Sequence, residues 1–429
     1  MQIDRRTFMK TTIGVAAAAA IAPYARLLDL PLLMGTRAMA HDLTGTTFEF
    51  SVREALVENV DQSLTYHWAW QVGHDAPSVA GPTLILEPGV AVTVTVHNPL
   101  HEPHGWAISD RLGGFLPDSY TGPIPAGGLA TVTFTPENPG TYVYFDPENA
   151  PVNRVMGLFG GVVVNPAAGV GATTPYSGGS LPVPANIQQL FDDLGTTAHF
   201  PGEAWDPNNW NLWLFGSIDP VKNNLVAALP PGQVIAPAAF VDGYTPRYFY
   251  INGRQGYFAA HDGAHGHAPG GDPHTNHIID LVSLIGRPRL IRNINVGLSL
   301  HSPHIHANHG YPLFKSNADG LGTNVGLQEN VVWIDTWTSR PMNHADVLYP
   351  YIMPPDIPAD TFARLKAGTS QEGFPDNPMH QDHDGVFVPG FPMFYPMHCH
   401  LELSQTSGGG NYPQGMVTHL EFEGVVPGI

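Results

Sequence analysis

The stretch Gly81 to Leu100, "GPTLILEPGVAVTVTVHNPL", decides how this chain folds. Its two runs are rich in Val, Leu, Ile and Thr, and Pro88-Gly89 separates them. Alternation of apolar and polar residues turns one face of a strand to a core and the other to solvent, and Pro-Gly marks a turn. Upstream, "TFEFSVREALV" (Thr47 to Val57) alternates in the same way. Downstream, "GGLATVTFTPENPGTYVYFDPE" (Gly127 to Glu148) repeats the pattern and "MGLFGGVVVNP" (Met156 to Pro166) closes it. Strands at short spacing with turns between them predict a β-sandwich.

Composition agrees with an all-β chain. Charged residues make up 13 % of the 429, while Gly (47) and Pro (42) are abundant, a balance that favours turns over long helices. The formal charge of −19 makes nucleic acid and anionic membrane surfaces poor partners, because binding them needs clustered Lys and Arg; no nucleic-acid partner is expected.

A Gly-, Pro-, Thr- and Ala-rich stretch, 167–207, carries one short helical pattern, "PANIQQLFDDLG", and reads as a linker. The expectation is a first sandwich domain over 41–166 and a second over 208–429. Two insertions interrupt the second, near 254–277 and 341–390. The former contains "HDGAHGHAPGGDPHTNH" (His261 to His277), which is either a metal-collecting loop or a polar insertion. The latter contains His380 and His383 and reads as an irregular loop or lid.

The first 40 residues read as a targeting segment. Arg5 and Arg6, then Phe8 and Lys10, an apolar run from Ile13 to Ile21, and Ala38-Met39-Ala40 follow the order of a twin-arginine signal. The apolar run is too short to span a membrane. Export through the twin-arginine machinery, to the periplasm or beyond, is therefore expected. Cleavage after Ala40 would leave His41 at the N-terminus, as either a two-nitrogen chelate or a frayed end.

The chemistry concentrates in two short motifs. "MHCHLE" (Met397 to Glu402) sets the chain's one cysteine, Cys399, between His398 and His400, and "HSPHIH" carries His301, His304 and His306. On a strand, residues i and i+2 share a face and i+1 points away. The trio can therefore send two imidazoles to one site and a thiolate to another, and thiolate with imidazole suits copper or zinc. Glu402 on the same strand would share the face of His400 and could orient a ligand imidazole or move a proton; a surface carboxylate is the alternative. No G-x-S-x-G elbow is present, and the histidines beside Cys399 are immediate sequence neighbours, so hydrolase readings fail.

"GPTLILEPGVAVTVTVHN", "PGTYVYF", "GLFGGVVV", "YTPRYFYINGRQG" (Tyr244 to Gly256) and "RPRLIRNINVG" (Arg287 to Gly297) resemble the cupredoxin domains of the multicopper oxidases, the laccase-like family. The resemblance implies two cupredoxin-like Greek-key sandwiches. It places His301 and Cys399 at a type 1 copper with Met416 as axial ligand, and His304, His306, His398 and His400 at a trinuclear cluster. Two departures stand out. Ser404 occupies the place of the second type 1 histidine, for which His419 or His309 could substitute. The two H-x-H pairs of the first domain are absent, with Phe145 and Pro147 where the second pair would fall. Nearby His97, His101, His104, Asp146 and Glu148 are either replacement ligands or solvated loop groups.

The function so implied is an exported copper oxidoreductase with an incomplete trinuclear cluster. Cys399 with His301 would accept an electron from a phenolic or metal-ion donor, His304, His306, His398 and His400 would bind copper and dioxygen, and in two-domain relatives the cluster forms between subunits of a homotrimer. A non-catalytic periplasmic copper-binding protein is the second reading. A copper-free structural or assembly protein on the same fold is the third.

Overall fold

A computed structural model of the protein describes residues 30–33, 42–167, 171–260, 279–316, 326–355, 357, 362–363, 380–381, 387–388 and 391–429. Within these, the chain builds two β-sandwiches in succession. The first uses β1 (Leu32–Leu33), β2 (Leu43–Thr44), β3 (Thr47–Glu58), β4 (Leu64–Val72), β5 (Gly81–Leu86), β6 (Val92–Asn98), β7 (Ala107–Ile108), β8 (Gly128–Phe134), β9 (Gly140–Phe145) and β10 (Phe159–Val164). One sheet runs β1-β3-β6-β8 with β4 also paired to β3, and the other runs β2-β5-β10-β9-β7. β1 falls inside the segment expected to be removed on export. The opening stretch supplies β5 and β6, one to each sheet, and the chain crosses between them at Gly89, whose φ of +76° glycine adopts without a Cβ clash.

Alternation explains the layers. In β6, Val92, Val94 and Val96 are buried while the intervening residues reach toward solvent, where Thr93 and Thr95 pair with Thr133 and Thr131. Between the sheets, Phe50, Trp106 and Tyr144 pack with ring centroids 5.2–6.1 Å apart, contacts worth about 0.5–1.5 kcal/mol each beyond the area they bury. Gly81 and Gly160 are glycines because a Cβ at either would collide with Tyr144.

The second sandwich uses β11 (Trp210–Ile218), β12 (Tyr248–Ile251), β13 (Leu281–Ile285), β14 (Arg289–Asn295), β15 (Pro303–Ile305), β16 (Tyr311–Lys315), β17 (Gly326–Leu327), β18 (His344–Tyr349), β21 (Met393–Cys399) and β22 (Val417–Val425). β19 (His380–Gln381) and β20 (Phe387–Val388) pair with each other apart from it. One sheet runs β12-β11-β14-β18-β16-β17 and the other β13-β22-β21-β15. The topology repeats that of the first domain. β5-β10-β9-β7 and β13-β22-β21-β15 have the same order, each with one parallel pair followed by two antiparallel pairs. Their registers also correspond at the free edge, where Ala107 faces Phe145 in the first and Pro303 faces Cys399 in the second.

The stretch between the sandwiches forms the helix Ala185–Asp193, which buries Ile187, Leu190 and Phe191 in a cluster that also holds Val143, Trp210 and Leu348. That cluster spans both sandwiches, and each sandwich has a further cluster of its own. A buried polar chain crosses between them: Arg292 donates to Thr141 Oγ1 at 2.8 Å, Thr141 donates to Asp346 Oδ1 at 2.5 Å, and Tyr176 donates to Asp346 Oδ2 at 2.9 Å. These bonds tie a strand of the first sandwich to two of the second, through one of the three Arg292 guanidinium nitrogens.

Candidate metal centre

The site grows out of the short edge strand β15 against β21. His304 faces His398 across the ladder, and Pro303 faces Cys399. Pairing therefore brings the two histidine motifs, separated by about a hundred residues, onto one sheet edge. The i, i+2 rule then sorts the side chains: His398 is half-buried and His400 exposed, while Cys399 between them is fully buried.

His304, His306, His398 and His400 converge. His400 Nε2 lies 2.6 Å from His304 Nδ1, and His306 Nε2 lies 3.3 Å from His398 Nε2. One nitrogen from each of His304, His398 and His400 falls within 4.8 Å of the others. Burial pushes the His304 pKa down to about 4, helped by His306 and His400 and opposed by Asp335. Burial likewise lowers His306 and His398. These three imidazoles are neutral at neutral pH, each with a lone pair to offer a metal.

Behind them lies a second, enclosed group. His301 and Cys399 are fully buried, with Nδ1 and Sγ 3.8 Å apart. Burial pushes the thiol pKa up, against hydrogen bonds from the Ser302 N–H, the Ser404 hydroxyl and the Leu401 N–H. The same desolvation takes His301 down to about 3. Its Nε2 is buried with no hydrogen-bond partner, and Phe215 and Phe249 stand edge-on to the ring. Met416 belongs to the same apolar cluster as Cys399 and accepts the Cys399 N–H through its carbonyl at 3.2 Å.

Ser404 thus stands at the thiol with no imidazole in its place. Neither expected substitute fills the gap: His419 lies between Asp280 and Glu421, at 3.5 and 3.6 Å, and His309 packs on Trp333. Among the described residues, Cys399 has one imidazole neighbour, His301. A blue copper site needs two imidazoles and one thiolate near one plane, so this donor set does not fit one.

Two other expectations change. Glu402 is not on a strand, because β21 ends at Cys399 and Glu402 opens a 3-10 turn, Glu402–Gln405, where it is exposed. Its charge still acts on His398. In the first domain, His97 and His101 stay near solvent, with His97 Nε2 2.8 Å from Glu49. His104 and Asp146, however, are fully buried rather than solvated. His104 Nδ1 sits 2.7 Å from Asp146 Oδ2, which also accepts from Asn153 at 2.9 Å, while Asp146 Oδ1 accepts the Gly105 and Glu148 N–H groups. Burial alone would lower the His104 pKa, but Asp146 and Glu102 overcome it and raise it to about 9.

Asp335 was signalled by no motif, yet its Oδ2 stands 3.5 Å from His304 Nε2. The signal segment 1–29, His41, the His261 to His277 stretch and His383 lie outside the described residues, as does the side chain of His380.

The multicopper oxidase family model matches residues 60–169, and the twin-arginine translocation signal model matches residues 2–22. A blue copper oxidase from Nitrosomonas europaea superposes with a TM-score of 0.54 at 16 % identity, covering 89 % of this chain and 86 % of that one. The multicopper oxidase mgLAC gives 0.52 at 16 % identity, over 90 % and 87 %. A copper nitrite reductase from Nitrosomonas europaea gives 0.50 at 14 % identity, over 89 % and 94 %. The fold is therefore the cupredoxin-like one of copper oxidases, and the N-terminus directs export through the twin-arginine pathway.

Proposed function

We propose that this exported chain of multicopper-oxidase type is a copper oxidoreductase whose working centre is His304, His306, His398 and His400. On this reading it oxidises a phenolic or metal-ion donor with an incomplete trinuclear cluster. The observation that carries it is the convergence of those four imidazoles from two distant motifs onto one half-open edge. Imidazole nitrogens clustered within 4.8 Å of one another suit copper, which when bound supplies one-electron redox chemistry and affinity for dioxygen.

The chain's own contribution is positional. β15–β21 pairing holds His304 beside His398 and sets His306 and His400 at the ends of the ladder, and burial lowers the pKa of His304, His306 and His398. Exposed His400 and Leu401 leave the edge open to a donor. No step is assigned to the Cys399–His301 pair, whose donor set lacks its third in-plane ligand. A homotrimer, with a neighbouring subunit completing the cluster, is part of the proposal.

The Ser404 replacement favours a second reading, a periplasmic copper-binding protein without turnover. Copper analysis and EPR of protein matured through twin-arginine export, together with oxygen uptake on a phenol, separate the two. Oxidase function predicts bound copper and oxygen uptake, both lost in His304→Ala/His398→Ala and both retained in Cys399→Ser. Bound copper without uptake supports the second reading, and copper-free protein excludes both.

A further inference from the structure

We propose that Asp335 is a positioning residue that fixes which nitrogen His304 turns toward the cluster, an inference that rests on the four histidines being a copper centre. The backbone around Asp335 is tied to the histidine motif. The segment 334–339 runs antiparallel to 301–310: Ile305 N–H donates to Asp335 O at 2.9 Å, Gly310 and Ile334 exchange bonds of 2.7 and 3.0 Å, and His301 and Ser339 exchange bonds of 2.9 and 2.8 Å. Asp335 therefore cannot drift along His304. Its Oδ2 lies 3.5 Å from His304 Nε2, on the opposite side of the ring from Nδ1, which faces His400 at 2.6 Å.

A neutral imidazole carries one N–H and one lone pair, and an ionised carboxylate can only accept. Placed at Nε2, the carboxylate draws the proton to that nitrogen and leaves the Nδ1 lone pair facing inward. That arrangement matches the carboxylate–histidine pairs that orient metal-binding imidazoles. At 3.5 Å the contact is an ion-pair separation longer than an ordinary hydrogen bond. Glu402 acts on His398 and the charge of Asp335 reaches both His304 and His306, but the 3.5 Å approach of Asp335 is to His304 Nε2. Asp335 is 47 % exposed, and solvent competition places its effect at the lower end of the range for such partners, about tenfold in affinity.

The test compares wild type, Asp335→Ala, Asp335→Asn and Asp335→Glu, loaded with Cu(II). Copper affinity is read by chelator competition, and the remote imidazole nitrogen by electron spin echo modulation. The expected result is an affinity about tenfold weaker in Asp335→Ala and Asp335→Asn, with an altered remote-nitrogen signal from one imidazole, and recovery of both in Asp335→Glu. Thermal unfolding of the apo forms identifies any variant that fails to fold, and the folded Asn and Glu forms then carry the comparison. Wild-type affinity and an unchanged echo signal in folded Asp335→Ala would overturn the assignment while leaving the copper centre standing. A wild type that takes up no copper at the four histidines would overturn the proposed function, and this inference with it.

Discussion

The two sandwiches share a topology and part company at one corner. In the second, β21 ends in His398-Cys399 with His400 next, and the two imidazoles face those of the partner motif. In the first, the corresponding strand β9 ends in Tyr144-Phe145, and Asp146, the next residue, closes on His104. Phe145 holds the register position of Cys399. A histidine given a buried carboxylate becomes half of an ion pair that bolts two loops together. The cluster histidines face chiefly one another, with half-exposed Asp335 3.5 Å from His304 in place of a buried carboxylate, and burial lowers the pKa of His304, His306 and His398. The difference between a strut and a metal centre lies in what stands opposite the imidazole.

Removing the strut should show the largest effect. Asp146→Ala leaves His104 buried without its carboxylate and strips the Asn153, Gly105 and Glu148 donors of their acceptor. Breaking a buried pair from one side costs about 3–5 kcal/mol. Urea denaturation should record a loss of that size, while copper uptake per folded chain at the four histidines stays unchanged. A loss below about 1 kcal/mol would show that the pair bears little of the first domain's stability.

Acid–base titration sharpens the comparison further. In the folded protein His104 holds its proton to about pH 9, against an ordinary histidine value of 6.5. Between those values the native state binds more protons than the unfolded one, so stability falls as pH rises. The contribution is complete below pH 6.5 and gone above about 9, and the shift corresponds to about 3 kcal/mol. Unfolding at pH 6 and pH 10, compared between wild type and His104→Gln, isolates it from other titrating groups. An equal pH dependence in both proteins would mean that His104 is uncharged in its buried position.

Much of this was legible before the fold was known, because alternation is local. The valines of β6 and the i, i+2 histidines of β21 follow from the period of a strand, and Ser404 was visibly out of pattern. Three features were not legible. Loop composition around His104 reads as solvated, and its burial depends on Asp146 arriving from 42 residues away. Asp335 reaches His304 only because 334–339 lies along the histidine motif. Glu402 leaves the strand because the ladder stops at Cys399: the His400 N–H goes to Ser302 O at 2.7 Å, and Leu401 O then accepts the Ser404 N–H that closes the turn. Each is a long-range or end-of-element effect, which residue spacing does not encode.

The smallest expected change in stability tests whether the second domain's own deficit is one of ligands alone. Ser404 is fully buried, and its hydroxyl lies within hydrogen-bonding reach of the Cys399 thiol while bonding the Leu401 carbonyl at 2.8 Å. Ser404→His puts a larger ring into that packed space, at a cost of about 1–3 kcal/mol for overpacking. In return it sets a second imidazole beside Cys399 and His301, the in-plane donor set that a blue copper site requires. Cu(II) loading should then produce an intense absorption in the red that wild type lacks. If wild type already absorbs there, the third in-plane donor comes from outside the residues that surround Cys399. If the folded variant binds copper and stays colourless, the geometry of the corner, and not the identity of residue 404, sets the deficit.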